Sequence, residues 1–174
     1  LRMLGADIRY LENDGFPPIK IIGKNLTERK VSLQANVSSQ YISALLLIAS
    51  RLENGLELNL EGKITSVPYI KMTLSLLNEV GVETSFVDNT IAVKPKILDL
   101  KPQTLTVESD WSSASYFYSV IALSDIGTEI TIASYKKESL QGDSVLAEIY
   151  QSFGVETYFN ENSVRLVKAN ADAT

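Results

Sequence analysis

Two rhythms of apolar and polar residues run along the chain. In LELNLEG at 56–62 every second residue is apolar, the period of a strand with one buried face. TEITIAS at 128–134 repeats the pattern with Ile130 and Ile132. The segment SSQYISALLLIAS at 38–50 reads instead as a Ser-capped apolar helix over 39–50, and 67–80, with Ile, Met and Leu at helical spacing, as an amphipathic one. The latter stops at Gly81, the residue type that ends helices in the left-handed conformation. Adding a short strand at 31–35 and two strands joined by Asp88-Asn89 gives the order βαβαββ. The same order is predicted again from 104: strand 104–108, helix 113–123, the TEITIAS strand, helix 140–153 ending at Gly154, and two strands around NEN at 160–162.

The two stretches are copies of one unit. Ser38-Ser39 matches Ser112-Ser113, Gly55 matches Gly127, Ser66 matches Ser139, and GVET at 81–84 recurs at 154–157, all at an offset of 72 to 74. A truncated third copy opens the chain, with Gly5 in the role of Gly81. Helices that share one apolar face should pack inward with sheets outside, or cover one sheet. The Pro-containing segment KPKILDLKPQTLTVESD at 94–110 is the joint. Domains are therefore expected at 1–107, holding a partial repeat 1–30 and a full repeat 31–103, and at 108–174, with a crossing at Glu108, Ser109 and Asp110. The opening LRMLGADIRYLEND lacks an initiator Met and reads as the last turn of a helix; a piece of a longer protein is expected.

Composition narrows the chemistry. With no Cys and no His, disulfides, thiolate nucleophiles, the usual general base and the commonest metal ligands are all missing. A net charge of −5 and scattered Lys and Arg argue against nucleic acid. The longest apolar run, ALLLIA at 44–49, is too short to span a bilayer. A soluble, cytoplasmic protein without nucleic-acid or membrane partners is expected.

Comparing the copies points to a ligand site. A serine pair at a helix start is first a cap, contributing about 1 kcal/mol. Gln40, by contrast, is Ala114 in the second copy, and Pro68-Tyr69 is Gln141-Gly142. Unshared polar side chains are better candidates for binding than shared ones. Both helix starts offer free amide hydrogens and the positive end of a dipole to a phosphate or carboxylate. Ser38, Ser39, Gln40, Ser66 and Tyr69 thus form the candidate site for a small, oxygen-rich, phosphorylated molecule.

The blocks GFPPIKI, VSSQYISALLLIA, SVPYIKMTLSLLNEVGV, VESDWSSASYFYSVIAL and LQGDSVLAEIYQSFGV together resemble the middle of the 5-enolpyruvylshikimate-3-phosphate synthases, of the enolpyruvyl transferase family. The resemblance implies an α/β (α+β) fold of the inside-out barrel type, repeated βαβαββ units with helices packed inside sheets. It also implies transfer of the enolpyruvyl group of phosphoenolpyruvate to the 5-hydroxyl of shikimate 3-phosphate, releasing phosphate, with no metal or cofactor and a monomeric parent. By the same resemblance Ser38, Ser39 and Ser66 would contact the 3-phosphate, Gln40 the ring hydroxyls and the neighbourhood of phosphoenolpyruvate, and Tyr69 the shikimate side. Glu108, Ser109 and Asp110 would be one strand of the hinge between lobes.

Where the family reads G-D-A-S-S-A-S-Y, this chain has SDWSSASYF, with Ser109 for Gly and Trp111 for Ala; Trp111 is expected between lobes or against the sheet. The family's cationic clamps and acid/base residues fall outside these 174 residues, so the chain alone is expected to be inactive, with no catalytic residue within it. Two other readings compete: the sister transferase acting on UDP-N-acetylglucosamine, against which S-S-Q followed by S-x-P-Y speaks, and a non-catalytic repeat scaffold in which Gln40 and Tyr69 are idle.

Overall fold

A computed structural model describes residues 1–36, 38–65, 67–96 and 104–171. They divide into two compact units, Leu1–Gln103 and Thr104–Thr174.

The first unit opens with a 3-10 turn, Arg2–Leu4, ended by Gly5, and an antiparallel hairpin of β1 (Asp7–Tyr10) and β2 (Ile19–Ile22). Then come β3 (Lys30–Gln34), α1 (Ser39–Ala49), β4 (Leu56–Glu61), α2 (Val67–Glu79), β5 (Thr84–Val87) and β6 (Thr90–Val93). The sheet order is β3-β4-β6-β5, with β3 parallel to β4 and the other pairs antiparallel. The period-2 signal is satisfied literally: Leu56, Leu58 and Leu60 are buried, while Asn59 and Glu61 are exposed. Against them pack Ile42, Leu46 and Ala49 of α1 and Ile70, Leu74 and Leu77 of α2. Of the two arrangements open to a one-faced repeat, each helix here covers one side of a sheet.

The second unit holds α3 (Trp111–Ala122), β7 (Glu129–Ala133), α4 (Leu146–Ile149), β8 (Val155–Asn160) and β9 (Ser163–Lys168), in an antiparallel sheet of order β7-β9-β8. It departs from the predicted copy in three places. The strand expected at 104–108 is absent; 104–110 is irregular and is held by side chains rather than a ladder. The helix expected at 140–153 is broken into the 3-10 turn Gly142–Val145, the single turn α4, and the 3-10 turn Tyr150–Phe153. Gly142, Asp143 and Ser144 are poor helix formers, and the Ser152 hydroxyl donates back to the Ile149 carbonyl at 2.7 Å, which competes with the helix ladder.

The third departure is one of phase. The serine pairs are not equivalent, because Ser38 caps α1 whereas Asp110, not a serine, caps α3. Taking the caps as equivalent superimposes the buried stripes Ile42, Leu46, Ala49 and Ala114, Tyr118, Ile121. The structural counterpart of Gln40 is therefore Ser112, and Ala114 answers to Ile42.

One device shared by both units carries no sequence signal. Lys96 Nζ donates to the carbonyl of Val80, just before Gly81. Lys168, buried, donates at 2.8 Å to the carbonyls of Phe153, just before Gly154, and of Ala122, the last residue of α3. Each ammonium satisfies terminal helix carbonyls at the negative end of the dipole.

Candidate functional site

The parallel pairing of β3 with β4 requires α1 to run back along the sheet between them, and α2 does the same between β4 and the β5–β6 hairpin. Both helices therefore start at the carboxyl ends of β3 and β4, at one end of the first unit. They pack side by side through the hydroxyls of Ser43 and Thr73, 3.0 Å apart. With a rise of about 1.5 Å per residue, that contact sits within two turns of each helix start.

At the start of α1, Ser38 is exposed, Ser39 half-buried and Gln40 exposed. The Ser38 hydroxyl accepts from the Gln40 amide at 3.4 Å, a long bond that leaves the oxygen open to a better donor or a ligand. Tyr69, on the first turn of α2, is 49% exposed and is not a core residue. Ser66 lies outside the described residues. The described members thus gather at two neighbouring helix starts and present hydroxyl and amide groups to solvent. A shallow depression of about 500 Å³ beside α2, lined by Lys63, Val67, Lys71, Phe86 and Asp88 among others, touches none of Ser38, Ser39, Gln40 and Tyr69 and is a separate feature.

The second candidate segment, Glu108 to Asp110, is bound tightly into its own unit. Glu108 Oε1 accepts from the Trp111 indole at 2.8 Å and the Lys136 amide at 2.9 Å. Its Oε2 accepts from Ser139 at 2.7 Å and from Gln141 Nε2 at 3.3 Å. Ser109 donates from its amide to the Ser134 carbonyl at 2.7 Å and from its hydroxyl to the Ala133 carbonyl at 3.1 Å. Gln141 completes the knot, donating to the Ser109 carbonyl at 2.8 Å and accepting from the Trp111 amide at 2.9 Å. Trp111 itself is fully buried, edge-on to Tyr135 with ring centroids 5.1 Å apart.

Burial pushes the Glu108 carboxyl upward, but the hydrogen bonds from Lys136, Trp111, Ser139 and Gln141 outweigh it and hold the group below the usual glutamate range. A carboxyl depressed in the folded state stabilises the fold above its unfolded value and loses that contribution as pH falls through the folded value. Urea unfolding of the chain and of Glu108→Gln should therefore differ most near neutral pH and converge as pH falls from about 5 to 3. A pH-independent difference would mean that the carboxylate charge is not what the knot uses. Asp110, the α3 cap, is also held low, by the Ser113 hydroxyl and then the Ser112 amide.

Reading the sequence missed Gln141, which the copy comparison set aside as the replacement for Pro68. Its partners lie some thirty residues away, so no local pattern could have shown it. The Trp111 substitution was visible, and was the available signal that something unusual is built there.

The profile of the EPSP synthase (3-phosphoshikimate 1-carboxyvinyltransferase) family matches residues 1–173. The chain belongs to that family. A 3-phosphoshikimate 1-carboxyvinyltransferase of Bacteroides fragilis is 47% identical over 169 residues, covering 97% of this chain and 40% of its own length. One from Histophilus somni is 34% identical over 170 residues, covering 97% of this chain and 39% of its own. The solved EPSP synthase of Acinetobacter baumannii aligns with a TM-score of 0.68 at 19% identity, over 97% of this chain and 38% of that one. That likeness shows the fold: the mixed α/β architecture here is that of EPSP synthase. The chain spans about two fifths of the length of these relatives. Among the described residues, no helix is long and apolar enough to cross a membrane.

Proposed function

We propose that this EPSP synthase family chain forms part of the shikimate 3-phosphate site of a cytoplasmic, monomeric 3-phosphoshikimate 1-carboxyvinyltransferase. The whole protein would add the 5-hydroxyl oxygen of shikimate 3-phosphate to C2 of phosphoenolpyruvate, the hydroxyl losing its proton and the methylene gaining one, and then remove a proton from the resulting methyl group as phosphate leaves the tetrahedral intermediate. Residues 1–107 would belong to the shikimate-binding lobe and 108–174 to the other, with Glu108, Ser109 and Asp110 at the crossing. The exposed Tyr116 and Val120 on α3, and Leu123 just after it, fit helices that further repeats cover.

The observation that carries the reading is the meeting of two helix starts at one end of the β3–β4 pair, with Ser38, Ser39, Gln40 and Tyr69 around them. Free amide hydrogens and serine hydroxyls suit the 3-phosphate. Gln40, with both a donor and an acceptor, suits ring hydroxyls beside phosphoenolpyruvate, and exposed Tyr69 suits the carbocycle. Ser66 would join the phosphate contacts. The groups that move protons and neutralise the anions are assigned to the remaining parts of the protein, so the chain alone should release no phosphate from the substrate pair.

The test is an amide-shift titration of the labelled chain with shikimate 3-phosphate, using inorganic phosphate and UDP-N-acetylglucosamine as controls. Shifts confined to 38–40 and 66–70 and specific to shikimate 3-phosphate are expected, with Gln40→Ala weakening the affinity about tenfold. An unchanged affinity in Gln40→Ala, or equal shifts with the nucleotide sugar, would overturn the reading.

A further inference from the structure

We propose that Thr73 and Ser43 are positioning residues for the candidate site, setting Tyr69 against Ser38 and Gln40; the proposal rests on the reading of that site given above. Thr73 is a buried polar residue on the α2 face that meets α1. Its Oγ1 lies 3.0 Å from Ser43 Oγ and 3.0 Å from the Tyr69 carbonyl oxygen. A hydroxyl carries one proton and two lone pairs, and a carbonyl can only accept. Thr73 therefore shares its one proton between two acceptors, the Ser43 hydroxyl oxygen and the Tyr69 carbonyl. One hydroxyl thus ties the turn bearing Tyr69 to the helix that begins with Ser38, Ser39 and Gln40.

Around it Ile42, Leu46, Ile70 and Leu74 belong to one buried apolar cluster, whose contacts are non-directional. The hydrogen bonds are directional and buried, and mispairing them leaves a polar group without a partner. They select one rotation and one register of α2 against α1, within two turns of the site.

The second unit supplies the contrast. Counting from the caps, Ser43 answers to Ser115; counting from the terminal glycines, Thr73 answers to Leu146. Ser115 donates within its own helix, to the Ser112 carbonyl at 2.6 Å. A hydroxyl pair between helices there is Ser119 with Tyr150, 2.7 Å apart, one turn further from the helix starts. The Thr73 position thus holds an aliphatic side chain in the other unit, where the two helix starts are joined instead by the Ser112 hydroxyl donating to the Asp143 carboxylate.

The experiment compares the full chain with Thr73→Val, Thr73→Ser and Ser43→Ala, measuring residual dipolar couplings of α1 and α2 in the free chain and shikimate 3-phosphate affinity by amide shifts. Thr73→Val keeps the shape and loses the hydroxyl. It should change the orientation of α2 against α1 and weaken binding about five- to tenfold, while Thr73→Ser restores both. If Thr73→Val fails to fold, Ser43→Ala, which keeps the bond to the Tyr69 carbonyl, decides alone and should show the same two losses. Wild-type orientation and affinity in Thr73→Val or Ser43→Ala would overturn the proposal. Absence of specific shifts in the unsubstituted chain would sink the site reading instead; the couplings would then decide positioning, an unchanged orientation overturning it.

Discussion

Trp111→Ala should remove a large part of the stability of the second unit. Trp111 is fully buried, packs on Tyr135 and Phe159, and donates its indole N–H to Glu108. Truncating a buried Trp to Ala costs roughly 3–5 kcal/mol through lost transfer energy and the cavity left behind. Glu108 would also lose one of its donors while staying partly buried. A unit of about 70 residues has a total stability on the order of 4–10 kcal/mol, so the substitution removes roughly half of it. The check is the amide spectrum together with urea unfolding followed by far-ultraviolet circular dichroism: the transition of residues after 104 should move to much lower urea. Trp111→Phe, which keeps the ring packing, should retain the fold. Because Trp111 is the sole tryptophan, fluorescence of the unsubstituted chain reports on this unit directly. A loss below about 1 kcal/mol in Trp111→Ala would mean that the core is not built around it.

The second large effect separates two glycines that the sequence makes look identical. Gly81 and Gly154 both precede V-E-T and both have positive φ, 80° and 72°. A Cβ on Gly154 would lie 2.1 Å from the backbone oxygen of Asn170, in a segment held by hydrogen bonds that the Ala169 and Asn170 amides donate to the Gly154 carbonyl. A Cβ on Gly81 would meet the tip of the Lys96 side chain, which can swing away. Gly81→Ala should cost about 1–2 kcal/mol, the left-handed penalty, and Gly154→Ala at least roughly 3 kcal/mol, because fixed backbone must also move. Thermal unfolding of the two variants side by side measures the difference; equal losses would show that the end of β9 yields as easily as a lysine.

The candidate site was partly legible for the same reason that the helices were. A helix start is a local event: Ser38 as cap, Pro68 in the first turn and polar residues beside them are all readable within a few positions. The gathering of two starts at one end also follows from a βαβ order, since a parallel crossover leaves little choice. Thr73 was not legible, because a threonine in mid-helix reads as a weak helix former until its neighbour Ser43 on another helix is known. Gln141 was not legible either. The comparison of copies treated it as a loss of Pro68, whereas its amide bridges Trp111, Glu108 and Ser109 across the chain.

Matching serine pairs by identity misled for a physical reason. Residues two apart in a helix differ by about 200° in direction, so a dipeptide that recurs two positions out of step faces the opposite way. Burial, not identity, sets the phase: Ala114 and Tyr118 face the core where Ile42 and Leu46 do.

The sequence by itself determined the βαβαββ order of the first unit, the buried leucines of β4, the glycines that end the helices, and the family, because alternation, helical spacing and turn residues act over a few positions. The tertiary structure alone decided the phase of α3, the side-chain knot that replaces a strand at 104–110, and the lysines on the helix ends. The knot and the lysines depend on which groups meet across fifteen to some forty-six residues, and a buried polar group takes whichever partner the packing brings to it.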